Sequence, residues 1–403
     1  MRKLYPFQED AVMFHMKHHY SLNCSEMGLG KSLIALETAK RVGGKVAIFG
    51  PAFLQSTWEN EGALEGVVFK YFPYSMLHKL DHKLLKNFDF WIADECHYLK
   101  TPTAKRTEKF YDALARVRPN YFVGLTGTPI KNRVPDFWTL LGFCGLNDKG
   151  TSGIKLTGDL KYYKRFSRYF CNSEFVEVPG RTIEKFVGIK AEKLEEFKTL
   201  LKGKFIRYRV DTVLKDLPEL IRKEVKFKLN DVIGLEEDFQ NYMSGGKYNI
   251  KAKTVSAALK AKSTAEYCNS LMEGGSGPIV VFTDHVDSAQ ILSDNIKNSA
   301  LITGKVQMDT RNDIVKKFQS GRVNSIVATI GSLSVGVTLT ASRHVIFNDL
   351  SWIPADNLQA EKRIHRIGQK DVCFAHYVDA TPTDGFIRRT LFSKMDAINK
   401  VVE

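Results

Sequence analysis

The segment Ser25-Glu26-Met27-Gly28-Leu29-Gly30-Lys31-Ser32 brings together, within eight residues, the types that phosphate binding needs. Gly28 and Gly30 permit backbone angles closed to residues with a side chain, so the loop amides can turn toward one anion. Lys31 adds a mobile positive charge, and Ser32 a hydroxyl able to ligate Mg²⁺. A short apolar run precedes the segment and good helix formers, Leu33 to Lys40, follow it. Strand, glycine loop and helix in that order aim a helix N-terminus at the anion. The full pattern has glycine five residues before Gly30, where this chain has Ser25.

Two further constellations complete the chemistry. An apolar run ending at Ala93 leads into Asp94-Glu95-Cys96-His97. Asp94, at a strand tip, suits Mg²⁺; Glu95 suits the orientation of an attacking water; His97 is close enough to sense a γ-phosphate and pass the signal on. Phosphoryl transfer calls for this set because its catalysis is mainly positioning and charge neutralisation. In the run 359–369 (Gln-Ala-Glu-Lys-Arg-Ile-His-Arg-Ile-Gly-Gln), Arg363 and Arg366 are three apart and would share one face of a helix. Two guanidinium groups facing a phosphate cradle act as arginine fingers, worth ~10³–10⁵ in rate. Ahead of the glycine loop, Phe7 and Gln8 supply an aromatic ring and an amide able to hold an adenine and read its edge. ATP and Mg²⁺ are the expected cofactors.

The elements that must position these residues follow from hydropathy. Apolar runs at 46–49, 67–69, 88–93 and 121–125 alternate with helical stretches, one of them containing Trp58. This is the rhythm of a parallel sheet covered by helices on both faces. Such sheets bind ligands in the loops at the carboxyl ends of their strands, where Pro51, Tyr74 and the turn Thr126-Gly127-Thr128-Pro129 fall. From about 146 to 263 the rhythm is lost, and a lysine-rich, mainly helical insertion is expected, with helices at 162–170 and 192–201 and a half-wet strand at 225–229. Alternation resumes at 278–282, with Thr283 as a candidate cap for a helix at 284–296. Strands at 325–329, 344–347 and 372–378 follow. The small-residue stretch 331–340 lets a nucleic-acid backbone or the opposite lobe come close, and the chain closes on an amphipathic helix. The expected fold is α/β, with two parallel-sheet lobes at 1–146 and 263–403 and the insertion at 147–262.

These motifs, collinear over most of the chain, resemble those of the Swi/Snf-type ATPases of helicase superfamily two, nearest to the compact branch that includes annealing helicases. The resemblance implies two RecA-like lobes with ATP in the cleft, and movement along duplex DNA usually without strand separation. Met27, Gly28, Leu29, Gly30, Lys31, Ser32 and Gly336 would then contact ATP alongside Phe7, Gln8, Arg363 and Arg366. Ser32 and Asp94 would hold Mg²⁺. Lys100, Arg106, Lys131 and Asn132 would meet the DNA backbone, joined in the first lobe by Pro51, Trp58, Tyr74 and Thr126. Thr283, Ser332 and Trp352 would do so in the second lobe. His97, Gln359 and Gln369 would couple the two activities. Ser25 and Lys362 stand where the family usually has acids, and the 331–340 turn lacks its usual paired glycines.

Composition agrees with a polyanionic partner. The 403 residues carry 59 lysines and arginines against 45 acids, a net charge of +14. An excess of this kind favours nucleic acid, here double-stranded or branched DNA. No apolar run approaches the ~20 residues of a membrane span, and no secretory leader is visible at the N-terminus, so no membrane partner is expected. The six cysteines include no Cys-x-x-Cys pair and read as buried thiols. A monomer with an unidentified protein partner is expected. It would be cytoplasmic in a bacterium or a virus-infected cell, and nuclear in a eukaryote.

Overall fold

The computed structural model describes residues 2–130, 134–145, 160–178, 180–228, 250–333 and 337–402. Its contacts divide the chain into two compact units, one comprising Met1–Lys215 and Lys394–Glu403, the other Asp216–Ser393.

The first unit is built on six parallel strands: β1 (Tyr20–Asn23), β2 (Val46–Gly50), β3 (Phe69–Pro73), β4 (Phe90–Ala93), β5 (Tyr121–Leu125) and the two-residue β8 (Phe205–Ile206). Their order in the sheet is β3-β2-β4-β5-β1-β8. β1, β2 and β4 are buried along their whole length, as parallel strands covered on both faces must be. One face packs the cluster of Phe49, Trp91, Phe110, Phe122 and Phe143. The other packs Ala11, Val12 and Ile34, from the helices Pro6–Lys17 and Lys31–Val42.

In chain order, β6 (Asn172–Val178) and β7 (Arg181–Val187) lie between β5 and β8 as an antiparallel hairpin. The helical reading of 147–262 therefore needs correction. It does hold the helices Leu160–Phe170 and Leu194–Leu201, but four strands as well. The hairpin's sequence signal was a Pro179-Gly180 pair between runs rich in β-branched and aromatic residues. The other two strands in this stretch, β8 and β9 (Leu220–Lys226), extend one parallel sheet each.

The second unit repeats the pattern with β9, β10 (Ile279–Thr283), β11 (Ser299–Ile302), β12 (Ser325–Thr329), β13 (His344–Phe347) and β14 (Cys373–Asp379), in the order β11-β12-β10-β13-β14-β9, all parallel. β10, β12 and β13 are wholly buried, with separate apolar clusters on the two faces. Each unit is thus an α/β domain built on a six-stranded parallel sheet, as expected for the two lobes. All six cysteines are buried and free, and no helix among the described residues is long and apolar enough to cross a membrane.

Candidate phosphate site and arginine segment

In the first unit the glycine loop joins β1 to the helix Lys31–Val42, whose N-cap is Gly30 in the left-handed region at φ 75°. Gly28 is also left-handed, at φ 82°. A side chain at Gly30 would be strained by its left-handed φ, and its Cβ would come 2.5 Å from Nε2 of Gln8, which would have to shift. Gln8 is itself buried and bridges two elements. Its Oε1 accepts from the Tyr5 amide at 3.0 Å, and its Nε2 donates to the Leu29 carbonyl at 3.0 Å. Phe7 is buried edge-on against Tyr208. The glutamine thus braces the glycine loop from behind. Lys31 Nζ donates to the carbonyls of Ser25 and Glu26 at 2.9 and 3.1 Å, which holds the ammonium over its own loop. Met27, Gly28 and Ser32 are partly exposed, and Leu29 is buried.

The acid pair stands at the carboxyl end of β4. Asp94 Oδ1 accepts from the Glu95 amide at 2.8 Å, and Oδ2 accepts from the Trp58 indole at 2.8 Å. The Tyr74 hydroxyl donates to the Asp94 carbonyl at 2.7 Å. Burial first, and then the charge of Glu95, push the Asp94 carboxyl up to about 7; Lys31 pulls the other way. A cation at this spot would reverse the shift. Glu95 is one of the few non-glycine residues at positive φ, 45°. Holding it there costs of order 1–3 kcal/mol, strain typical of functional positions. Its carboxylate lies 3.1 Å from Nδ1 of buried His97, and the same nitrogen is 3.1 Å from the Thr126 hydroxyl. Thr126 Oγ1 also accepts from the Thr128 amide. Next to it, a Cβ on Gly127 would fall 2.8 Å from Met27 Cγ and 3.5 Å from Lys31 Nζ. The turn after β5 is therefore packed on the glycine loop, and a chain of contacts runs Glu95–His97–Thr126.

These donors fit a nucleotide with Mg²⁺. Mg²⁺ takes one or two protein oxygens and fills the rest of its octahedron with phosphate oxygens and water. Ser32 and Asp94 would supply those oxygens, and no group of three or more His, Cys, Asp or Glu side chains placed to hold a metal occurs among the described residues.

In the second unit the arginine segment departs from expectation in its backbone. The helix Pro354–Glu361 ends before it, so Arg363 and Arg366 sit on a turn. They still converge, because each donates through Nη1 to the Val337 carbonyl, at 3.3 and 3.4 Å. Gln369, expected to couple, is a staple of this turn. Its Nε2 donates to the carbonyls of Ile364 and Ser342, and its Oε1 accepts from the amides of Lys370 and Asp371. Gln359 is buried in the preceding helix.

Several residues expected against DNA are instead internal supports. Trp58, Tyr74, Thr126 and Thr283 are all 5% exposed or less. Thr283 donates to Asp349 and caps no helix, since the helix Val286–Asn295 has His285 at its N-cap. The Ser332 hydroxyl donates to the Ile302 and Thr329 carbonyls, and Pro51 is buried with its carbonyl bonded to Tyr71. Strand-end residues look like ligand contacts in a sequence, but at the rim of a covered sheet the apolar and hydroxyl ones are drawn into the packing. Lys100, paired with Asp136 at 2.7 Å, keeps partial exposure. Arg106 is exposed over the Tyr98 ring, and Trp352 is partly exposed. Lys131, Asn132 and Gly336 lie outside the described residues.

Sequence reading missed two supports. The segment 204–210 runs along the glycine loop, and Arg222 reaches the fully buried Glu361. Both partners are far apart in the chain, so no local pattern announces them.

Comparison with known proteins gives the same assignment. The SNF2-related domain matches residues 65–273, just over half the chain, and the helicase conserved C-terminal domain matches residues 262–368. The mouse "DNA annealing helicase and endonuclease ZRANB3" is 26% identical over 94% of this chain and 39% of its own length. The Caenorhabditis elegans "SWI/SNF-related matrix-associated actin-dependent regulator of chromatin subfamily A-like protein 1 homolog" is 26% identical over 100% of this chain and 62% of its own. The chain therefore spans roughly two-fifths to three-fifths of these relatives. The solved "Sulfolobus solfataricus SWI2/SNF2 ATPase core in complex with dsDNA" aligns with 21% identity over 100% of this chain and 93% of that one, at a TM-score of 0.44. With the SNF2-related domain matched over more than half its length and the helicase C-terminal domain following in order, the chain belongs to the SNF2-related family of helicase-like ATPases.

Proposed function

We propose that the protein is a DNA-stimulated ATPase that moves along double-stranded DNA and remodels branched DNA or protein–DNA complexes. The observation that carries this reading is the contact chain Glu95–His97–Thr126. It links the residue suited to orienting the attacking water with a buried turn that packs on the glycine loop, and so ties the acid pair to the phosphate cradle as one unit. In this reading the Gly28 and Gly30 loop with Lys31 holds the phosphates, and Ser32 and Asp94 hold Mg²⁺, which neutralises charge on the phosphates. Glu95 orients the water, and Arg363 and Arg366 stabilise the transferring phosphoryl group. Gln8 and Phe7 form the adenine side of the site.

The net charge of +14 and the DNA-directed name of the mouse relative support DNA as the stimulating partner, and the word "annealing" in that name favours branched forms. The deciding experiment measures ATP turnover against single-stranded, duplex, forked and four-way DNA and against RNA. It is run beside triplex displacement and strand displacement. Duplex-stimulated turnover with triplex loss and no unwinding is the expected result. Unwinding at a comparable rate would replace translocation with strand separation, and turnover indifferent to nucleic acid would remove the motor reading.

A further inference from the structure

The chain between the two compact units is anchored at both ends to the residues assigned to chemistry. The chain returns to the first unit at Lys394, and its first passage from one unit to the other falls between Lys215 and Asp216. Just before that boundary, residues 204–210 run beside β1 and on along the glycine loop. The amides of Leu22, Cys24 and Glu26 donate to the carbonyls of Lys204, Ile206 and Tyr208, at 2.8, 2.8 and 2.9 Å. Side chains of the loop answer in the other direction: Ser25 Oγ accepts from the Tyr208 amide at 3.2 Å, and Glu26 Oε2 from the Val210 amide at 3.0 Å. Ser25, the departure from the phosphate-loop pattern, thus has a defined task.

Just after the boundary the chain is held again. The Pro218 carbonyl lies 2.7 Å from His365 Nε2. Arg222 donates from Nε and Nη2 to both oxygens of Glu361, at 2.9 and 2.7 Å, and Tyr377 donates to the same carboxylate. Glu361 is fully buried, and such a carboxylate is held rigidly where its partners place it. Glu361 and His365 stand two residues on either side of Arg363. A single covalent run, 204–222, therefore grips the loop that carries Lys31 and the turn that carries both arginines.

We propose that this run is a coupling strap, with Ser25 and Glu26 at one end and Glu361 and His365 at the other as positioning residues, so that movement of either unit is delivered to the phosphate loop and the arginine turn through a short backbone. The inference rests on the ATPase reading above and adds the route by which DNA engagement reaches the chemistry. Neither end needs a side chain that touches nucleotide. Each fixes the backbone on which such a side chain is mounted, and small misplacements of that kind cost roughly 10²-fold in rate.

The test uses the full chain. Four residues, Gly-Ser-Gly-Ser, are inserted between Lys215 and Asp216, and Arg222→Leu and Arg222→Lys are made separately. Affinity for a fluorescent ADP with Mg²⁺, thermal melting, and kcat and KM for ATP are measured with and without duplex DNA. The insertion is expected to leave ADP affinity and melting within twofold and a degree or two, while DNA-stimulated kcat falls roughly 10²-fold. Arg222→Leu should lower kcat at unchanged KM, and Arg222→Lys should restore part of the loss. DNA-stimulated kcat that survives the insertion overturns the strap. So does an Arg222→Leu protein that melts lower but turns over normally below its melting point. If the unmodified chain binds ADP yet shows no DNA-stimulated turnover, the ATPase reading falls first and the strap with it.

Discussion

The Trp58 indole nitrogen and the Asp94 carboxylate are joined by a 2.8 Å hydrogen bond, and Trp58 is buried to 1% exposure. A residue that resembled a surface contact is a direct support of the acid proposed to hold Mg²⁺. The bond works against burial and Glu95, which together hold the carboxyl up at about 7.

Trp58→Phe keeps most of the apolar bulk and removes the donor. With that hydrogen bond gone, the Asp94 carboxyl moves further up. The metal needs the ionised form, so Mg²⁺-dependent nucleotide binding should strengthen as pH rises from 6 to 8 in the natural protein. In Trp58→Phe the same rise should be displaced to higher pH. Titration of fluorescent ADP at saturating and limiting Mg²⁺ checks both statements. An unmoved pH profile would show that the indole has only a packing role.

Lys31→Ala, Glu95→Gln and Arg366→Ala should each reduce DNA-stimulated turnover by about 10³-fold or more, with melting temperatures close to that of the natural protein. Phosphate release and circular dichroism on the same samples measure the two together. Near-normal hydrolysis in Arg366→Ala would remove its assigned role on the transferring phosphoryl group.

Arg106 and Thr283 should separate cleanly in a salt titration of DNA binding. Arg106 is exposed, and its loss should lower the slope of log affinity against log salt by about 1. Thr283 is buried against Asp349. Thr283→Ala should leave the slope alone and cost about 1–3 kcal/mol of stability, because the carboxylate loses a buried partner. A slope change in Thr283→Ala would return that residue to the DNA surface.

Acid should weaken the second unit through a histidine pair. His344 Nδ1 and His376 Nε2 are 3.0 Å apart, and burial holds each ring down at about 4. The unfolded chain takes up these protons near 6.5, so between 6.5 and 4 it binds more protons than the folded chain. Stability is then fully present above pH 6.5 and lost as pH falls through that window. Urea unfolding at pH 7, 6, 5 and 4.5 should show the decline, and His376→Gln should flatten it. An identical decline in His376→Gln would place the proton uptake elsewhere.

What the chain's own letters determined is local and strong. Glycines at the left-handed positions 28 and 30, carboxylates closing an apolar strand, and two arginines within four residues are short-range patterns whose chemistry can be read without knowing what lies beside them. The parallel αβ rhythm is equally legible, because strands covered on both faces must be apolar throughout. Tertiary structure alone decided the partners. Trp58 meets Asp94, Ser25 meets Tyr208 and Arg222 meets Glu361 across separations of 36, 183 and 139 residues. Such pairings depend on which strands become neighbours, and hydropathy is nearly blind to that. Whereas the β6–β7 hairpin carried a local Pro179-Gly180 signal, the same cause set β8 and β9 at the edges of the two sheets, with β9 beginning five residues before the half-wet strand expected at 225–229. It also turned the arginine segment from helix to turn, since buried hydrogen bonds at the sheet rim outweigh weak local propensity.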